Sequence, residues 1–159
     1  MVSLREPDML NVSNTYAIRR TAHAEFNRAR RQAMLNAWVA VIKKRQCRLL
    51  AFFEAQQNLT PRARVYRGIR QVPVDEIRGS VNRRQDFDGN FNPIGEHVRE
   101  RWQKIYLALS AGQVLPPLQL YKLGSDYFVV DGHHRVSVAR QLGIQYLEAE
   151  VVEYMLSAA

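Results

Sequence analysis

The sequence predicts a small α+β domain preceded by a long, basic, helical N-terminal arm. Three features of the 159 residues carry that expectation. No proline falls between Pro7 and Pro61 and no glycine before Gly68, and the interval is rich in Ala, Arg, Leu, Gln and Lys, which favour helix. Beyond it, short apolar runs are punctuated by Gly, Pro and Asp in the manner of strands and turns. Charge is lopsided as well. Residues 16–70 hold thirteen Lys or Arg against Glu25 and Glu54, a net +11, whereas residues 71–159 net −2 and residues 1–15 net −1. The division expected is an arm over 1–60 and a globular unit over 61–159.

In the arm, helix is expected from about Tyr16 to Gln57, as one very long helix or two joined ones, with Ser13 or Asn14 as the cap. Ala22, Phe26, Ala29, Ala33 and Ala37 recur at three- and four-residue spacing and form a narrow apolar stripe. A stripe so poor in large side chains needs a partner surface, either a second copy of the arm or the chain's own second half. Trp38, Val41, Ile42, Leu49, Phe52 and Phe53 make a bulkier apolar set around Lys43-Lys44-Arg45. Thr60-Pro61 ends the helical region, because proline cannot continue the ladder and biases its predecessor away from helix.

The second half reads element by element. Residues 62–70 form a basic connector, and Val72-Pro-Val-Asp-Glu-Ile77 alternates as a short edge strand. Residues 79–95 are turn-rich and make a long loop, mobile or functional. A helix follows from about Glu96 to Ala111, with Val98, Trp102, Ile105 and Leu109 on one face and Gly112 as its stop. Pro116-Pro117 introduces a strand over 118–123. Gly124-Ser125-Asp126 turns it into a second strand over 127–130. Asp131-Gly-His-His-Arg135 then opens a helix that runs to Leu142 and stops at Gly143, and a last strand spans 145–154.

Composition excludes several classes. An apolar fraction of 47% argues against disorder, and no apolar run approaches the roughly 20 residues of a membrane span. The opening Met-Val-Ser-Leu-Arg-Glu-Pro-Asp lacks the blocks of a secretory signal, and the single Cys47 permits no internal disulfide. A cytoplasmic location is expected. The net charge of +8, concentrated in the arm, suits a polyanion. Arg19, Arg20, Arg28, Arg30, Arg31, Lys43, Lys44, Arg45 and Arg48 are the residues expected to contact DNA phosphates.

The chemistry concentrates at 131–135. The first N–H groups of a helix have no partner within it, and the helix dipole favours anions there. Gly132 lets backbone approach a ligand, Arg135 offers a guanidinium fork, and His134 adds a donor. Together they predict a phosphate cradle. Plainer roles stand beside each: Asp131 as a helix cap, Gly132 for the turn alone, Arg135 paired with Glu148 or Glu150. Adjacent imidazoles on a helix diverge by about 100°, so His133 and His134 do not predict a metal site.

On these residues the second half, about 69–154, resembles the ParB/sulfiredoxin-like family. The resemblance rests on Val72–Ile77, the loop with Arg84, Ser110-Ala-Gly112, Leu115-Pro-Pro-Leu-Gln-Leu120, and above all the stretch Tyr127-Phe-Val-Val-Asp-Gly-His-His-Arg through Gly143. It implies a small mixed sheet with helices, and a nucleotide (CTP, or ATP/ADP, with Mg) bound by Gly132, His133, His134, Arg135 and Arg84. Sulfiredoxins carry a catalytic cysteine where this chain has His133, so the resemblance does not imply sulfinic-acid reduction; His134 and Arg135 match their phosphate-contacting pair. Partition proteins carry Gly-Glu-Arg-Arg, matched by Gly132 to Arg135. Free-serine kinases share the Asp-Gly-His-His-Arg string itself.

The expected function is that of a ParB-like, DNA-associated regulator or chromosome-associated factor, binding DNA through the arm and a nucleotide phosphate at the turn, as a homo-oligomer joined through the arm. The alternative is a nucleotide-dependent small-molecule kinase in which Asp131 or His134 assists phosphoryl transfer with Mg. A second alternative is a non-catalytic scaffold.

Overall fold

A computed structural model of the chain describes residues 9–43, 48–57, 61–82 and 85–156. In chain order these form α1 (Met9–Lys43), β1 (Leu50–Ala51), α2 (Phe52–Gln57), β2 (Pro61–Pro73), a 3-10 turn (Val74–Glu76) and β3 (Ile77–Ser80). A second 3-10 turn (Glu96–Val98) leads into α3 (Arg99–Ser110), followed by β4 (Leu118–Leu123), β5 (Asp126–Asp131), α4 (His133–Leu142) and β6 (Tyr146–Leu156). The fold is α+β. Its six strands form one mixed sheet in the order β1-β3-β5-β4-β6-β2. β3 and β5 run parallel, β4 and β5 form an antiparallel hairpin, and β6 lies parallel to β4 and antiparallel to β2.

Each sheet face buries its own apolar set. Leu118, Leu120, Val129, Ala149 and Val151 pack on one face with Val136 and Ala139 of α4 and with Phe87 and Phe91 from the loop after β3. On the other face Phe52 of α2 meets Phe128 and Tyr154, with Tyr121 alongside. A third cluster lies outside α4, where Ala22, Phe26 and Ala29 of α1 meet Val98, Trp102 and Tyr106, with Val138 of α4 between them. Phe26 and Trp102 stack edge to face at 5.6 Å. The Trp102 indole N–H donates to Ser137 Oγ at 2.8 Å, so burying the ring leaves its polar atom paired.

The structure revises several expectations. Within the arm, α1 is a helix of 35 residues that starts at Met9 and so carries Ser13 and Asn14 inside it rather than as a cap; helix does not run on to Gln57, because the strand β1 precedes the short α2. Of the α1 stripe, Ala22, Phe26 and Ala29 pack against Trp102 and Tyr106 of the chain's own α3 and Ala33 is also buried, while Ala37 is exposed. The bulkier apolar set divides: Leu49 and Phe52 enter the core, but Trp38, Val41, Ile42 and Phe53 face solvent.

Residues 62–70 are not a connector but the body of β2, and the strand expected at 72–77 is split by a 3-10 turn over 74–76. The reason lies across the sheet, in β6. The arginines of β2 read as a basic run in sequence, yet the strand pairs along its length with β6, where Glu153, Glu150 and Glu148 stand opposite Val65, Ile69 and Gln71. Arg67 Nε donates to Glu153 Oε2 at 2.7 Å, and Gln71 donates to Glu148 at 3.2 Å. Val65 is the residue directly opposite Glu153, so Arg67 reaches that carboxylate diagonally, beside the register shift between Tyr66 and Ile69, and diagonal neighbours with long side chains still interact across a ladder.

The loop following β3 is anchored over 85–95. Phe87 and Phe91 fill the core, and Asp88 is buried as a hub. Its carboxylate accepts from the N–H groups of Asn90 and Asn92 and from the side chains of Asn92 and Asn36, at 2.8–3.1 Å. Asn36 belongs to α1, so this hub also secures the arm.

Candidate functional site: the β5–α4 turn

The site is built where β5 ends in the middle of the sheet and the chain turns at once into α4. Gly132 makes that turn with φ +110°, a left-handed conformation that L side chains resist. It is also a close approach: a Cβ there would collide with Leu118 and lie 3.1 Å from Arg135 Nη2. Glycine is therefore required twice, by backbone and by space. At the N-cap position it offers α4 no capping side chain.

Arg135 folds back across this turn. Its Nη1 donates to the Pro116 carbonyl and, at 2.9 Å, to the Pro117 carbonyl, while Nη2 donates to Asp131 Oδ2 at 2.6 Å. The guanidinium is mostly buried and Asp131 mostly exposed. Burial pulls the Arg135 pKa below its ordinary value, and the Asp131 carboxylate opposes that shift. Of the plainer roles open to Arg135, pairing with Glu148 or Glu150 is replaced by pairing with Asp131. Arg135 thus holds the 116–117 segment and stands at the N-terminus of α4 at the same time.

The two histidines lie inside. His133 Nε2 and Ser80 Oγ share a 2.7 Å hydrogen bond, and Ser80 Oγ also accepts from the Asn82 N–H at 3.2 Å. The His133 ring stacks parallel to Phe87 at 6.2 Å, and His134 meets the same ring edge-on at 5.3 Å. The rings diverge as neighbours on a helix must, yet Phe87 contacts both. Further along α4, Arg140 Nη2 donates to the Val74 and Ile77 carbonyls at 3.1 and 2.7 Å and fixes the helix to β3.

The comparisons with known proteins are sparse. No family model matches the chain, and no curated protein is similar to it. Among solved structures, sulfiredoxin from Arabidopsis thaliana is similar over 52% of this chain and 82% of that one, at 16% identity and a TM-score of 0.40.

Of the residues singled out in the sequence, Asp131, Gly132, His133, His134 and Arg135 are brought together at one turn. Arg84 lies outside the described residues, as do Lys44 and Arg45. On α1, Arg19, Arg20, Arg28, Arg31 and Lys43 are exposed, and Arg28 stands 3.9 Å from Glu25. Arg30 is engaged instead: it pairs with Glu96 and donates to the Ile94 carbonyl at 3.3 Å. Arg48 is exposed and bridges to Asp88 through backbone.

Two participants carry little signal in the sequence. Ser80 is inconspicuous within a turn-rich stretch, and Pro116-Pro117 reads only as the entry to a strand, although its carbonyls hold Arg135. Two cavities flank α4. One of about 280 Å³ has Arg135, Pro116 and Leu118 in its wall with Tyr146 and Glu148 opposite. The larger, about 480 Å³, lies at the far end of α4 among Val74, Asp75, Arg140 and Gly143, away from the turn.

Proposed function

We propose that this chain is a ParB-like, DNA-associated regulator that binds a nucleotide phosphate at the Asp131–Arg135 turn and DNA along the outer face of α1. The observation that carries the reading is the Arg135 guanidinium held across the glycine turn at the N-terminus of α4. A helix N-terminus attracts anions through its dipole, and an arginine beside it supplies full charge and directional donors. A phosphate seated there would draw Asp131 away from Arg135 or displace it. The 280 Å³ cavity sharing the Arg135 wall would take part of the sugar or base. On α1, Arg20, Arg28 and Arg31 lie off the stripe that faces α3 and Arg19 is exposed at its edge, where a duplex can reach them.

The test is calorimetric titration of CTP, ATP, ADP and GTP with magnesium. Arg135→Ala also removes the bonds to Pro116 and Pro117, so Arg135→Lys and a thermal unfolding trace accompany it. Binding by the native chain that is lost in a folded Arg135→Ala supports the proposal, and the preferred base identifies the nucleotide. No heat with any of the four nucleotides overturns it. Phosphate transfer to added serine would replace the regulator reading with the kinase one.

A further inference from the structure

The apolar stripe of α1 stops being used at Ala33. From Met34 to Lys43 no side chain is buried. This stretch nevertheless carries Met34, Leu35, Trp38, Val41 and Ile42, each 59–80% exposed, with Val39 beside them. A helix end so apolar is uncommon in water without a partner.

The spacing identifies the partner. At about 100° per residue, the five large side chains fall within an arc of roughly 120° centred on Trp38. They lie three and four positions before Trp38 and three and four positions after it. A second copy crossing antiparallel at Trp38 therefore sets Met34 against Ile42 and Leu35 against Val41, and the same pairings repeat in reverse. Self-complementarity of this kind is what a two-fold interface requires. The area is adequate too: these side chains expose on the order of 700 Å², near the ~800 Å² each partner contributes to a stable interface. The opposite side of the helix carries Asn36, Ala40 and Lys43, with Asn36 bonded to Asp88 of the chain's own loop, so it holds one cation rather than the strongly charged face of a helix lying on a membrane.

We infer that residues 34–42 of α1 are a dimerisation seam, occupied by the same residues of a second copy in antiparallel orientation. The inference does not depend on nucleotide or DNA binding. It carries a distinctive salt signature, because Arg31 and Lys43 bracket the seam and two copies bring like charges together at its ends. Screening relieves that repulsion, so salt strengthens the dimer, opposite to its effect on binding to DNA phosphates.

Sedimentation equilibrium of the full chain at low and high sodium chloride, alongside Trp38→Glu, tests the seam. The native chain is expected to be a dimer that tightens with salt. The variant is expected to be a monomer that unfolds like the native chain diluted to its monomer, since Trp38 is 73% exposed within the chain and only the stability contributed by association is lost. A monomeric native chain at high micromolar concentration, or a Trp38→Glu chain that still dimerises, overturns the inference. Orientation is read in a Cys47→Ser background by mixing Met34→Cys and Ile42→Cys chains and oxidising. Cross-links between the two variants support the antiparallel seam, and links only between identical variants overturn it. A native monomer that sediments with phosphatidylserine vesicles would overturn it too and assign the surface to a membrane.

Discussion

At Gly132 a single methyl group is enough to disturb the site. The residue sits at φ +110°, and a Cβ would collide with the side chain of Leu118, which is fully buried. Strain of this type costs on the order of 1–3 kcal/mol before the clash is counted. Gly132→Ala is therefore expected to lower stability by at least that amount, read as a reduced urea midpoint, and to displace Arg135 from the turn. A variant as stable as the native chain would show that the turn relaxes freely. The five-residue motif is legible in sequence because strand, glycine and helix-opening basic residues occur in succession. The fate of Arg135 is not. Its partners are two carbonyls 18 and 19 residues upstream and a carboxylate one helical turn back, and only the closure of the sheet brings the carbonyls within reach.

Among the elements, those governed by local pattern are readable and those governed by pairing are not. The hairpin of β4 and β5, the helix from 96 to 110 and the last strand fall close to where periodicity and turn residues put them. β2 is hidden because its arginines mask a strand whose stability comes from β6, at the far end of the chain. Glu153 shows how: Lys122 of β4 and Arg67 of β2 both donate to it, and these bonds hold its carboxyl below the usual carboxylate range. A depressed folded pKa adds stability above the unfolded value of about 4.3 and loses it as pH falls through the folded value. Glu153→Gln is expected to be less stable than the native chain at neutral pH, with the gap closing below about pH 4 as Glu153 protonates. A gap independent of pH in urea titrations would show that the ion pairs contribute nothing. The arm follows the same division. Its helical character is plain in sequence, but only the structure shows that Phe26 is fully buried on Trp102, with Arg99 4.7 Å from its ring. Phe26→Ala is expected to cost about 3–5 kcal/mol and to speed amide exchange along α1, whereas Trp38→Glu does neither to the monomer.

For the molecule as a whole, the question is what the uneven charge does. Among the described residues outside α1, five Lys and Arg side chains are matched locally. Arg67 and Lys122 meet Glu153, Arg78 lies 3.6 Å from Asp126, Arg99 pairs with Glu96, and Arg135 meets Asp131. On α1 the basic residues share one helix with a single acidic residue, Glu25. Arg30 pairs closely with Glu96, but Arg28 stands 3.9 Å from Glu25, and Arg19, Arg20 and Arg31 face solvent. Unmatched charge of one sign on one helix is the arrangement from which counterions are released when a polyanion binds. Duplex DNA affinity should then fall linearly on a logarithmic salt scale. Replacing Arg20, Arg28 and Arg31 together by Gln should flatten that line by roughly 3 in slope, at about 0.9 for each phosphate no longer neutralised. Because these side chains lie off the stripe that packs on α3, thermal unfolding should not change, and weakened binding could not be assigned to a damaged fold. A native chain whose DNA affinity ignores salt, or a triple variant with the native slope, would remove α1 from the DNA surface. The dimer seam at Trp38 would be untouched by that result, since it responds to salt in the opposite sense.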